Sequence, residues 1–314
     1  MREAWDAGQL LKLGEALRAA HYEFVTPTNA TLRRVNARAS DVRARDALDI
    51  FGWGRPVSED GEAAPWLARL REAGIASEDG KQWRTELRAA TLDGQLLFHT
   101  SGPAAAQDAV FFGPDSYRFA RAIRCELAAH PQPCMRALDL GCGAGAGVLT
   151  LAALYLGASV LGTDINPKAL RLTELNAELA GAPRVQTRLS DLYEETGAGF
   201  DLIVANPPFI ADPNGRIYRD GGGGDGLGLS RRIVDGAIER LAPGGTLMLY
   251  TGVAVSGGRD ALREHLEGLA LPPGVSWSYS EIDPDIFGEM LSTDAYRHAD
   301  RIAAVWLVLR KPSM

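Results

Sequence analysis

The stretch Ala137-Leu-Asp-Leu-Gly-Cys-Gly-Ala-Gly-Ala-Gly147 limits what this chain can fold into more than any other. A short apolar run opens directly into a glycine-rich turn, and the turn opens into an apolar helical pattern over residues 148–155. Strand, glycine turn and helix in that order predict the first βα unit of an open parallel sheet. Glycines at 141, 143 and 145 permit positive φ and let a ligand approach the backbone more closely than side chains would allow.

The rest of the chain from about residue 108 extends this pattern. Strand signals at 137–140, 159–163, 184–189, 202–205, 246–250, 275–282 and 302–309 alternate with helical ones, as in a sheet covered on both faces. We therefore expect an α/β fold with a seven-stranded, mostly parallel Rossmann-like sheet over residues 106–314. Residues 1–105 read as a smaller, mainly helical N-terminal domain that recognises substrate. There, apolar spacing at Leu10, Leu11, Leu13 and Leu17 and at Trp66, Leu67 and Leu70 predicts short helices. Asp93-Gly94 predicts a hairpin near residues 85–101, and helices followed by such a hairpin suggest a winged-helix-like unit.

Bulk composition excludes several classes. With 46% apolar residues the chain is globular, and a formal charge of -7 argues against broad, non-specific phosphate binding. Arg33, Arg34, Arg38, Arg43 and Arg45 form a local basic cluster, interleaved by Asp41, Asp46 and Asp49, so a solvated helix face is expected. The three cysteines and five histidines lack disulfide or ligand spacing, and no metal site is expected. The N-terminus lacks the apolar core of a signal peptide, and no apolar run is long enough to span a bilayer. A cytoplasmic protein without membrane partners is the expectation.

A glycine-rich turn alone leaves a dinucleotide and S-adenosylmethionine (SAM) both open. Asp164 decides between them in part, since it ends the next strand about 20 residues on, where a carboxylate can accept from both ribose hydroxyls. Asp191 follows the third strand, near where an adenine amine would lie. The spacing is Gly-x-Gly-x-Gly rather than the pyrophosphate spacing, and Asp139 just before it would attract a methionine ammonium and repel phosphate. SAM is the expected cofactor. Its expected contacts are Asp139, Gly141, Cys142, Gly143, Gly145, Asp164, Ile165, Asp191, Leu192 and Asn206.

The fourth strand runs out into Asn206-Pro207-Pro208-Phe209, and ligands of open α/β sheets bind at carboxyl ends of strands. Two prolines hold this backbone extended. If the Asn206 side-chain oxygen and the Pro207 carbonyl each accept one N–H, a planar nitrogen is pinned with its lone pair turned toward a methyl donor. Phe209 can stack on the flat group. These four residues are the candidate catalytic set.

Together, Asp139 to Gly145, Asp164, Asp191 and Asn206-Pro-Pro-Phe-Ile210 resemble the PrmC/HemK-like protein glutamine methyltransferase family, class I SAM-dependent enzymes that methylate glutamine in peptide release factors. Phe112-Gly-Pro-Asp-Ser-Tyr-Arg-Phe119 and Gly222-Gly-Gly-Asp-Gly-Leu227 resemble two further family segments, which adds Phe112, Tyr117 and Asp225 as substrate-binding candidates. The resemblance implies N-methylation of a glutamine amide in a release factor or ribosomal protein. Methylation of an adenine or guanine exocyclic amine in RNA or DNA, or of a small metabolite, stays open. The chain departs from the family in having Phe209 where tyrosine is usual, in its N-terminal third and in residues 281–289, where substrate selection is expected.

Overall fold

The computed structural model describes residues 5–38, 42–101, 108–212 and 219–313. Its N-terminal third contains α1 (Ala7–Ala19), α2 (Asn29–Asn36), a single π turn at Leu48–Gly52 and α3 (Ala64–Glu72). Two hairpins follow, β1 (Ala76–Asp79) with β2 (Gln82–Thr85) and β3 (Leu87–Leu92) with β4 (Gln95–Thr100). Asp93 and Gly94 both adopt positive φ, the geometry of the tight hairpin turn their sequence predicts. The first hairpin, turning at Gly80, is additional to the single hairpin expected. Both β3 and β4 are largely buried, so this hairpin is a packing layer rather than an exposed wing.

Beyond α4 (Pro114–Ala129), strands and helices alternate as β5 (Arg136–Leu140), α5 (Ala146–Leu154), β6 (Ser159–Asp164), α6 (Pro167–Leu179), β7 (Val185–Leu189), β8 (Phe200–Ala205) and α7 (Gly228–Arg240). The chain ends with β9 (Leu241–Ser256), β10 (Arg259–Asp260), α8 (Ala261–Gly268), β11 (Ser276–Asp283) and β12 (Arg301–Arg310). The sheet order is β11-β12-β9-β8-β5-β6-β7, with β10 folded back on β9. Contacts among β7, β6, β5, β8 and β9 are parallel, and β12 and β11 add antiparallel strands at one edge. This is the mostly parallel, Rossmann-like α/β sheet that the alternation predicts.

β9 is far longer than the expected 246–250. Its start, Leu241-Ala-Pro-Gly-Gly, reads as a turn, yet Leu241 pairs with Phe200 and a register shift between Phe200 and Leu202 absorbs the irregularity. At its far end Gly252 stays in the strand because the Phe209 ring occupies the space where a Cβ would stand.

The N-terminal third shares a core with the sheet's covering helices. Leu10, Leu13, Leu70 and Phe98 cluster with Ala144, Leu149, Leu172 and Leu179, and Gly14 lets α1 approach Leu179. The expected domain boundary at 105/106 lies outside the described residues. No helix among the described residues is long and apolar enough to cross a membrane.

Asn176 of α6 joins these parts. Its fully buried amide accepts from Phe98 N–H at 2.7 Å and donates to Phe98 O and to Ala144 O, each at 2.9 Å. Asn176→Ala strands buried backbone groups at both places and is expected to cost about 3 kcal/mol in urea unfolding. A loss below about 1 kcal/mol would show that water replaces the amide.

Candidate active site

The carboxyl ends of β5, β6, β7 and β8 open into a cavity of about 630 Å³, within the roughly 300–1,000 Å³ range of cofactor and small-ligand sites. At its base, Gly141, Gly143 and Gly145 have φ of +70°, +56° and +91°. A Cβ on Gly141 would meet no protein atom and would fill the cradle itself. Gly145 has a different duty, since it caps α5 against Thr173 and does not face the cavity. Thr173 Oγ1 lies 3.0 Å from Gly143 O and 3.4 Å from Cys142 Sγ, so α6 holds the turn from behind.

Three acids surround this turn. Asp139 is 1% exposed and accepts from the Val148 N–H at 2.9 Å. Gly147 has no room for a side chain because a Cβ would stand 2.6 Å from Asp139 Oδ2. Burial pushes the Asp139 carboxyl up to about 8. Asp164 accepts from Gly143 N–H at 3.0 Å and Asn166 N–H at 2.9 Å, and burial raises its pKa despite those donors. Asp191 is more open and pairs with Arg232 at 3.0 Å.

On the opposite side, β8 delivers Asn206-Pro207-Pro208-Phe209. All four line the same cavity as Asp139, Gly141, Cys142, Gly143, Asp164, Ile165, Asp191 and Leu192. Asn206 is half-buried, and its side chain makes no hydrogen bond with another described residue. Phe209 is buried, with its ring edge-on to Tyr250 at 6.4 Å and to Phe287 at 5.7 Å between centroids.

The glycine loop after the tetrapeptide supports it from behind. Ile210 exchanges backbone hydrogen bonds with Arg219 and Gly221. A Cβ on Gly221 would meet Pro208 O at 2.8 Å, and one on Gly226 would meet Phe209 O at 2.4 Å. Asp225 does not line the cavity; it accepts from Leu227 N–H and pairs with Arg231 at 2.6 Å, fixing the start of α7.

Of the other substrate candidates, Phe112 lines the cavity, whereas Tyr117 is set apart, with its hydroxyl accepting from Thr26 N–H at 3.0 Å and its ring packed edge-on against Phe112. Sequence reasoning passed over a buried network on the cavity wall. Tyr250 Oη donates to Asp115 Oδ1 at 2.8 Å, and Arg118 bridges Asp115 at 3.1 Å and Asp283 at 3.0 Å. Burial raises the Asp115 pKa while Tyr250 and Arg118 lower it. Arg33, Arg219 and Phe287 also reach the cavity; Arg33 belongs to the basic cluster and Phe287 to the 281–289 departure, whereas Arg219 had no sequence signal.

A glycine cradle that a side chain would fill, flanked by acids rather than phosphate-binding bases, fits SAM. Asp139 would face the ammonium, Asp164 the ribose hydroxyls and Asp191 the adenine end. Below about pH 8 burial keeps Asp139 largely protonated, and a cation beside it would favour ionisation, so binding there would expel a proton. SAM affinity is therefore expected to climb by up to ~tenfold per pH unit as pH rises toward about 8, and to gain nothing above it, where the ammonium itself loses its proton. Calorimetric titration across this range checks it, and a constant Kd would mean that Asp139 does not meet the ammonium.

Residues 126–270 match the family model described as the methyltransferase small domain. The release factor glutamine methyltransferase of Cereibacter sphaeroides is 39% identical over 244 residues, covering 72% of this chain and 84% of that protein. The protein of the same name from Deinococcus radiodurans is 40% identical over 247 residues, with 72% and 84% covered. Among solved structures, the M. jannaschii tRNA m1G37 methyltransferase aligns at 17% identity with a TM-score of 0.49, covering 73% of this chain and 58% of that one. Family membership rests on the two relatives and not on this structural likeness. The chain belongs to the release factor glutamine methyltransferase family and is a SAM-dependent methyltransferase.

Proposed function

We propose that this enzyme methylates the side-chain amide nitrogen of a glutamine in a translation release factor. The observation that carries the reading is the half-buried Asn206 amide, unpaired among the described residues, at the end of β8 and across one cavity from the acid-flanked glycine turn. The acceptor named for the relatives supports the same choice.

An amide nitrogen is a weak nucleophile because its lone pair is delocalised into the carbonyl. Asn206 Oδ1 and Pro207 O would each accept one of its two N–H groups, which fixes the nitrogen and turns its lone pair into the cavity. SAM supplies a methyl group on a positively charged sulfur that leaves as a neutral thioether. The S–CH3 bond breaks as the new C–N bond forms, the positive charge passes from sulfur to the now strongly acidic nitrogen, and one of the two held protons is released to solvent water. No dedicated base is needed for that loss.

In this reading residues 1–105 recognise the release factor and residues 106–314 carry out transfer. A purine amine is the less supported acceptor, since of the five clustered arginines only Arg33 lines the cavity. The alternative of a ribosomal protein shares the same chemistry and differs only in what carries the glutamine.

Labelled SAM and purified release factor provide the test. Transfer is expected to depend on the acceptor glutamine, and Asn206→Ala should lower it about 100-fold or more while leaving SAM affinity within about threefold. Label appearing on RNA and not on protein would overturn the acceptor, and undiminished turnover by Asn206→Ala would overturn the role of that residue.

A further inference from the structure

After β11 the chain does not turn directly into β12. It runs along the cavity wall through Asp285, Ile286 and Phe287 and into a 3-10 turn at Gly288–Ser292. Both sides of this segment are secured. Ile286 N–H donates to Ile302 O at 2.7 Å, Asp283 holds Arg118, and further on the Tyr296 hydroxyl accepts from Ala211 N–H at 2.7 Å. Ala211 lies two residues beyond Phe209, so the segment is tied to the strand that carries the tetrapeptide.

Phe287 sits at the centre of this segment with φ 52° and ψ 36°, a left-handed conformation that an aromatic residue adopts at a cost of ~1 kcal/mol or more. A turn alone would be served better by glycine, and Gly288 is the next residue. The Phe287 ring is half-buried, lines the cavity and meets Phe209 at 5.7 Å and 70°. Strain held at such a place is retained where the side chain's location matters to function.

We propose that Phe287 is a specificity-determining residue that forms, with Phe209, an aromatic slot admitting a slender side-chain amide to Asn206 and excluding the broader face of a nucleobase. The slot rests on the glutamine-amide reading given above and adds the residue that selects for it. Phe209 is the floor, fixed against Tyr250 and Gly252, and Phe287 is the wall brought in by the 284–292 segment. With the two ring planes 70° apart they form a corner, so a flat amide would stack on one ring and be bounded by the other, with its N–H edge toward Asn206.

Phe287→Ala and Phe287→Gly both remove the wall, and the glycine variant also releases the strain. With release factor as acceptor, both are expected to raise KM roughly tenfold with little change in kcat and with SAM Kd within about twofold of wild type. Phe287→Tyr should restore the wild-type KM. Retained SAM binding reports that a variant is folded, and Phe287→Leu, which keeps bulk without a flat face, replaces any variant that fails this check and should show the same rise. Wild-type KM in the ring-less variants would overturn the slot. Failure of the wild-type enzyme to methylate release factor would instead count against the acceptor assignment, so the two failures are distinguishable.

Discussion

Two side chains on one face of α6 hold the glycine turn in place. Thr173 and Asn176, three residues apart and therefore neighbours on the helix surface, reach Gly143 O and Ala144 O from behind. A glycine-rich turn has little side-chain packing of its own, so its shape depends on such external partners. Asn176 also closes two hydrogen bonds with the backbone of β4. The cradle, the covering helix and the N-terminal hairpin are thereby one bonded unit, and the buried cost of any unpaired group in it couples them.

The tetrapeptide is held in a similar way, by backbone crowding instead of a side-chain amide. Gly221 and Gly226 bring their loop against the carbonyls of Pro208 and Phe209, and Gly252 accepts the Phe209 ring. Proline restrains this segment from within and close glycine contacts restrain it from outside. Under the proposed mechanism, a rigid carbonyl and a fixed aromatic face would need no reorganisation when an acceptor arrives, which is where positioning would contribute to rate.

The cavity's acids fall into two groups. Asp115 meets a tyrosine hydroxyl and a guanidinium, which tie α4 to β9 and β11. Asp139 and Asp164 are met by backbone N–H groups and have pKa values elevated by burial, that of Asp139 raised further by the nearby Asp164. The first group is neutralised within the protein. The second retains an electrostatic demand that a cationic ligand would satisfy.

Much of this was legible in the sequence because it depends on local order. Alternating apolar runs marked seven strands, Asp93-Gly94 marked a tight hairpin, and carboxylates at successive strand ends converge once the sheet is parallel, because topology places every such end on one edge. The Arg118–Asp283 pair joins residues 165 apart, and nothing in either segment announces it. Asp225 was a site candidate by its motif and in the fold braces α7, while Phe287 lay in residues 281–289, a departure from the family where substrate selection is expected but no single side chain stood out. By itself the sequence determined the sheet, the cradle and the kind of chemistry, since these follow from periodicity and strand-end placement. Tertiary structure alone decided which side chains line the cavity beside Asn206, because that lining is built from distant segments whose contacts form only when the core closes.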